Sequence, residues 1–136
     1  MLSGASAGGF GTVFNYDELR GLVDSLCGVP CRSDFALGYA ALASRFPADR
    51  FALTSSLRDQ TIRSYLGLTP EAFETALLAA AEQSIEPTAN FEYFFVGGES
   101  HTMLGSPAAF ISNGVDLFTW LNRMISDDAS WASTRP

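Results

Sequence analysis

Residues 51–60 read FALTSSLRDQ, an apolar run that passes directly into polar residues. We predict a buried strand at Phe51–Ser55, because short apolar runs bounded by polar loops are typical of parallel sheets. A second predicted strand, NFEYFFV at Asn90–Val96, ends at two glycines. Between the two strands, Thr69–Glu71 supplies a hydroxyl cap, a proline and an acid, which together predict a helix that extends to about Gln83.

A helix between two strands indicates a crossover connection, so residues 51–55 and 91–96 are predicted to be neighbouring parallel strands. Further helices are predicted at Asn15–Leu26 and, from apolar periodicity, at Ser33–Phe46 and Asn113–Ile125. The predicted fold class is α/β, with a parallel sheet flanked by helices. Each strand ends in a polar loop, and α/β sheets place their sites at that edge.

Composition restricts the classes of function. The chain of 136 residues is long enough for one domain, and its 47% hydrophobic and 17% charged content is that of a globular protein. The net charge is −7 and lysine is absent, so we expect no nucleic-acid partner. The apolar run at Leu77–Ala81 is far short of the roughly 20 residues of a membrane span. No secretory signal is recognisable at the start of the sequence.

The two cysteines, Cys27 and Cys31, lie in the stretch CGVPCRSD. A zinc site would need further cysteine or histidine ligands nearby, and the chain has one histidine. Two interpretations stay open, a local disulfide in an exported protein and a pair of reduced thiols. The glycine and proline between the cysteines favour a loop that would bring the sulfurs together.

A glycine-rich stretch, SGASAGGFGT, occupies residues 3–12. A phosphate-binding loop would need a lysine, and the glycine spacing does not match a dinucleotide-binding turn, so no cofactor is expected. Residues 4–8 instead match G-x-S-x-G, the nucleophile elbow, in which glycines around the serine relieve crowding at a strained turn. Ser6 is therefore the candidate nucleophile, and the backbone N–H of Ala7 is the expected oxyanion donor.

The elbow predicts an acid and then a histidine further along the chain. His101 follows the second predicted strand, and Asp59 follows the first. Both would lie beyond the carboxyl ends of strands, as a Ser–Asp–His triad requires. Three other acids are alternatives to Asp59 but are less well placed: Asp49 precedes its strand, Asp116 follows the histidine, and Glu99 is only two residues from it.

The chain resembles the pectin acetylesterase family, which includes Notum-like α/β hydrolases. The resemblance is carried by SGASAGGFGTVFNYD at residues 3–17, FALTSSLRDQTIRSYLG at residues 51–67 and VGGESHTML at residues 96–104. It implies Ser6 as nucleophile, Asp59 as acid and His101 as base. It also implies removal of acyl groups, acetyl above all, from a polysaccharide or a related small ester, and an extracellular or cell-envelope location like that of the exported bacterial members.

The sequence departs from that family at its start, where members carry several strands and an oxyanion loop before the elbow. Residues 1–136 are therefore interpreted as the C-terminal half of an α/β-hydrolase-like domain, with little ester turnover expected by itself because one oxyanion donor is missing. The main alternative is a catalytically inert hydrolase fragment or an interaction module. A peptidase or lipase on the same scaffold is a further alternative.

Overall fold

The computed structural model describes residue 25, residues 27–34 and residues 36–136. Helices α1–α5 span Gly28–Ser33, Leu37–Arg45, Gln60–Tyr65, Pro70–Ser84 and Leu117–Ile125. Strands β1–β4 span Phe51–Ser56, Phe91–Val96, Ile111–Ser112 and Val115–Asp116, and a 3-10 turn lies at Pro107–Ala109. The glycine-rich stretch at residues 3–12 and the helix predicted at residues 15–26, apart from Ser25, lie outside the described residues.

The parallel pair predicted from the sequence is confirmed. Strands β1 and β2 run parallel, in a register that joins Phe51 to Phe91 and Ser56 to Val96. Helix α4 makes the crossover between them, and it begins where the capping pattern predicts, with the hydroxyl of Thr69 accepting from the backbone N–H of Ala72 at 3.2 Å. These elements establish a mixed α/β architecture with a small parallel sheet.

The sheet is packed on both faces, because side chains alternate along β2. Residues at odd positions of β2 pack against α2 and α4, in a cluster that contains Phe91, Tyr93, Phe95, Ala43, Ala81 and Ile85. Residues at even positions pack against α5 and the loops beside it, in a cluster that contains Phe94, Val96, Met103, Leu117, Trp120 and Trp131. A strand with helices over both faces needs apolar side chains on both of its faces, which explains why FEYFFV is apolar at each position except Glu92.

The C-terminal residues add a third position to the sheet, which the sequence analysis did not predict. The backbone N–H of Thr134 donates to the carbonyl of Tyr93, and the N–H of Phe95 donates to the carbonyl of Thr134, both at 2.9 Å. The indole N–H of Trp120 holds the same segment by donating to Ala132 at 2.8 Å. Because the bridge is isolated to Phe94 and Thr134, no strand-length apolar pattern marks it in the sequence.

The helix predicted at residues 113–125 is too long, and this part of the prediction is wrong. The helix begins at Leu117, after the short hairpin of β3 and β4. The residues between the two strands, Asn113 and Gly114, have φ of 47° and 80°. Two consecutive positive φ values are typical of a type I′ turn, for which Asn-Gly is the preferred pair. The dipeptide Asn113-Gly114 therefore indicates a hairpin turn, and this signal outweighs the helical periodicity at the start of the segment.

Two other local predictions also need correction. Residues 33–46 do not form one helix, because α1 ends at Ser33 and α2 begins at Leu37. The segment between the cysteines is the first turn of α1 rather than a loop, and a disulfide joins the N-cap residue Cys27 to Cys31, with Cα atoms 5.7 Å apart. Residues four apart lie on one face of a helical turn, which brings the two sulfurs together.

Within the described ranges, the helices lack the combination of length and apolar composition that crossing a bilayer would require.

Candidate functional site

Asp59 and His101 lie together at the carboxyl edge of the parallel sheet. Asp59 follows β1 and His101 follows β2, at a separation of 42 residues in sequence. The Nδ1 atom of His101 lies 2.9 Å from Oδ2 of Asp59 and 3.1 Å from Oδ1. The structure thus brings together two of the three residues that the sequence analysis selected as a triad. Ser6 and Ala7 lie outside the described residues.

Backbone hydrogen bonds hold the two loops side by side beyond the ends of the strands. The N–H of Leu57 donates to Val96 at 2.8 Å, and the N–H of Arg58 donates to Gly98 at 3.1 Å. The N–H of Gln60 then donates to the carbonyl of Glu99, also at 3.1 Å. Asp59 therefore lies between two residues whose backbones are bonded to the loop that leads to His101. This continuation of the strand pairing fixes the separation of the two side chains.

Asp59 is also the N-cap residue of α3. Its Oδ1 atom accepts from the backbone N–H of Ile62 at 2.9 Å, while the same carboxylate faces His101. The side chain of Asp59 is only 4% exposed. A buried carboxylate needs hydrogen-bond donors or a cation nearby, and the cap and the imidazole both meet that need. The Asp59 carboxylate is consequently fixed from two directions.

Within the described part of the chain, His101 forms hydrogen bonds through one ring nitrogen, Nδ1. When Nδ1–H donates to Asp59, the neutral imidazole has an unprotonated Nε2 that can accept a proton. That Nε2 atom is buried and has no hydrogen-bond partner among the residues that the structure describes. The side chain as a whole is 19% exposed, so the ring lies near the surface of the sheet edge. Buried polar atoms are normally paired, so a free and oriented Nε2 indicates a site where another group is received.

The three competing acids do not pair with His101 in the structure. Glu99 forms an ion pair with Arg63, at 3.0 Å between its Oε1 and a guanidinium nitrogen. Asp116 caps α5 and accepts from the N–H and the hydroxyl of Thr119, and these hydrogen bonds lower the pKa of Asp116. Asp49 lies in the turn between α2 and β1, at the opposite end of β1 from Asp59. Among the described acids, Asp59 is the partner of His101.

Sequence reasoning missed α3 and the contacts of Arg63, both of which border the site. The sequence DQTIR at residues 59–63 does contain a usable signal, an aspartate cap followed by a basic residue in the last turn. No sequence pattern points to the pairing of Arg63 with Glu99, because it depends on the loop geometry. In the part of the chain that the structure describes, no cluster of three or more His, Cys, Asp and Glu side chains is arranged to bind a metal ion.

No protein-family model, curated protein or solved structure matches this chain. Function is therefore inferred from the geometry at the sheet edge together with the sequence motifs.

Proposed function

We propose that this chain carries the catalytic residues of a serine carboxylic-ester hydrolase of the pectin acetylesterase type. The observation that carries the proposal is the hydrogen bond between Asp59 and Nδ1 of His101 at the carboxyl edge of the sheet, with Nε2 unpaired among the residues that the structure describes. This is the orientation that a general base needs to accept a proton from a nucleophile. Ser6, in its G-x-S-x-G motif, is the nucleophile in this proposal.

The proposed reaction follows from these positions. The Oγ atom of Ser6 attacks the ester carbonyl while its proton moves to Nε2 of His101, and Asp59 stabilises the resulting imidazolium. The backbone N–H of Ala7 stabilises the oxyanion of the tetrahedral intermediate. The alcohol then leaves with the proton from His101, and a water molecule, deprotonated in turn by His101, releases the acid from the acyl-enzyme.

The α/β-hydrolase form of the fold is part of the same proposal. It is supported by an acid and a histidine that follow neighbouring parallel strands, and by helices packed over both faces of the sheet. An acetylated polysaccharide is the proposed substrate class, on the basis of the motifs at residues 3–17, 51–67 and 96–104. The disulfide between Cys27 and Cys31 supports an oxidising location, such as the cell envelope or the exterior.

Covalent labelling with a fluorophosphonate tests the proposal without depending on high turnover. The reagent forms a phosphorus–oxygen bond to an activated serine and expels fluoride, and the serine proton passes to the base. We expect mass spectrometry to locate the adduct on Ser6, with labelling lost in Ser6→Ala and slowed by about 10²–10⁴-fold in His101→Gln. A chromogenic acetate ester then measures turnover, which should depend on the same two residues. Labelling at equal rates in wild type and His101→Gln would overturn the assignment of the base.

A structural function for the same pair is the second candidate, and the capping of α3 by Asp59 is the observation that favours it. In that case His101 would only help to stabilise the loop, and the chain would be an inert scaffold or an interaction module. Such a protein would lose stability on substitution of His101 but would show no serine adduct. The labelling experiment therefore separates the two candidates.

A further inference from the structure

Arg63 contacts both loops of the Asp59–His101 site. Its Nε–H donates to the backbone carbonyl of Arg58 at 3.2 Å, and its Nη2 donates to Oε1 of Glu99 at 3.0 Å. The side chain of Arg63 is 17% exposed, so it is largely shielded from water. The planar guanidinium can direct separate N–H groups to two acceptors at fixed angles, which a lysine ammonium cannot do equally well.

The two acceptors are close neighbours of the reactive pair in sequence. Arg58 immediately precedes Asp59, and Glu99 is two residues before His101. Glu99 is held twice, since its backbone carbonyl accepts from Gln60 while its carboxylate accepts from Arg63. The guanidinium therefore joins the loop of the acid to the loop of the histidine, at the point where the strand pairing has ended.

We propose that Arg63 is a positioning residue that holds the imidazole of His101 against the carboxylate of Asp59. The hydrogen bonds of Arg63 go to the two loops and not to the imidazole, so Arg63 acts through the loops. An effect of Arg63 on catalysis rests on the proposed function. Its effect on the orientation of the His101 imidazole does not. The contribution of the Arg63–Glu99 ion pair to the free energy of unfolding is a different and separately measurable property.

The test uses the fact that His101 is the one histidine of the chain, so ¹⁵N labelling of histidine gives signals from this ring alone. In the wild-type chain, under mildly alkaline conditions, we expect the Nδ1–H tautomer and a slowly exchanging Nδ1–H proton. Arg63→Gln should lose the slowly exchanging proton and show a mixture of tautomers, and Arg63→Lys should restore part of the signal through Glu99. The matched control is Arg135→Gln, which breaks another Arg–Glu pair, that with Glu82, and should leave the ring signals unchanged.

A folded Arg63→Gln variant with the wild-type imidazole spectrum would overturn the proposal. If that variant does not fold, Glu99→Ala removes the same contact from a half-exposed side chain, and an unchanged spectrum there would overturn the proposal as well. Fluorophosphonate labelling of Ser6 should slow by up to about 10²-fold in the variants that disturb the ring. Absence of labelling in the wild-type chain, with the ring signals responding as expected, would reject the hydrolase function and leave the positioning function in place.

Discussion

The carboxylate of Asp59 accepts from the backbone N–H of Ile62 at 2.9 Å and from the ring of His101 at the same distance. One side chain thus begins the helix α3 and orients the imidazole. The two contacts can be separated by substitution, because asparagine caps a helix about as well as aspartate but carries no charge.

Asp59→Asn should keep most of the stability and lose most of the reactivity. The amide oxygen can still accept from Ile62, so the free energy of unfolding in urea should change little. The uncharged amide does not stabilise an imidazolium or fix the Nδ1–H tautomer, so labelling of Ser6 should slow by up to about 10⁴-fold. Asp59→Ala should lose the cap as well, at about 1–2 kcal/mol.

The control for this prediction is Asp116→Ala, which removes the aspartate cap of α5, where no histidine is bound. It should lower the free energy of unfolding by a similar amount and leave the rate of labelling unchanged. Equal rates of labelling in Asp59→Asn and the wild type would contradict a catalytic function for the carboxylate of Asp59.

Substitution of Asn90 should lower the free energy of unfolding without changing the Asp59–His101 site. Its side-chain amide donates to the carbonyl of Phe46 at 3.0 Å and to that of Asp49 at 2.8 Å, which ties the end of α2 to the start of β2. Asn90→Ala leaves both carbonyls without this donor and should cost about 1–3 kcal/mol in urea unfolding. Asn90→Asp should cost more, because a carboxylate would face two carbonyl oxygens. The imidazole signals of His101 should not change in the folded variants, since Asn90 lies at the opposite end of the sheet.

The parallel pair could be predicted because local signals and topology agree. The apolar runs of β1 and β2 and the cap and proline of α4 each have a short-range cause, and the helix predicted between the two strands indicated a crossover. The hairpin at Asn113–Gly114 and the bridge of Thr134 to β2 were missed for different reasons. The first has a turn signal that helical periodicity obscured, and the second depends on long-range contacts that no local pattern encodes.

The pairing of Asp59 with His101 was predictable from the sequence, but the contacts that hold the two residues in place were not. Asp59 and His101 were selected because each follows a predicted strand, and the carboxyl ends of parallel neighbours meet at one edge. The cap on Ile62 and the contacts of Arg63 come from how the two loops fold against each other after the strands end. Such details depend on backbone conformation in loops, where sequence patterns carry the least information.

The free energy of unfolding should fall at alkaline pH because the phenol of Tyr93 loses its proton there. Burial, followed by the hydrogen bond that its hydroxyl donates to Glu86 at 2.7 Å, raises the pKa of Tyr93 from 10.0 to about 12. The folded state therefore favours the protonated phenol, and this contribution is present below pH 10 and is lost as the pH rises towards about 12. Urea unfolding across this window should show a steeper fall for the wild type than for Tyr93→Phe, which has no hydroxyl to titrate. Parallel curves for the two proteins would contradict the raised pKa.

Two adjacent glycines in the loop before His101 provide the most direct test of how backbone conformation supports the site. Gly98 has φ of +92°, a conformation that side chains rarely adopt, whereas no positive φ is found at Gly97. An added Cβ would meet no atom within 4 Å at either position, so the backbone alone distinguishes them. Gly98→Ala should lower the free energy of unfolding by about 1 kcal/mol or more. It should also weaken the bond from Arg58 N–H to the Gly98 carbonyl, and with it the hold of Asp59 on the imidazole.

Gly97→Ala is the matched control, because the added methyl group is the same and the neighbouring position has no such strain. It should be neutral or stabilise the fold by about 0.4–1 kcal/mol through the unfolded state, and it should leave the ¹⁵N signals of His101 as they are. In Gly98→Ala the slowly exchanging Nδ1–H proton should be lost while the protein is still folded. The same spectrum and the same unfolding curve in both variants would mean that the left-handed turn at Gly98 does not hold His101 in place. Loss of the slowly exchanging Nδ1–H proton in Gly98→Ala but not in Gly97→Ala would show that the orientation of the imidazole depends on the φ angle of Gly98, three residues before His101 in the sequence.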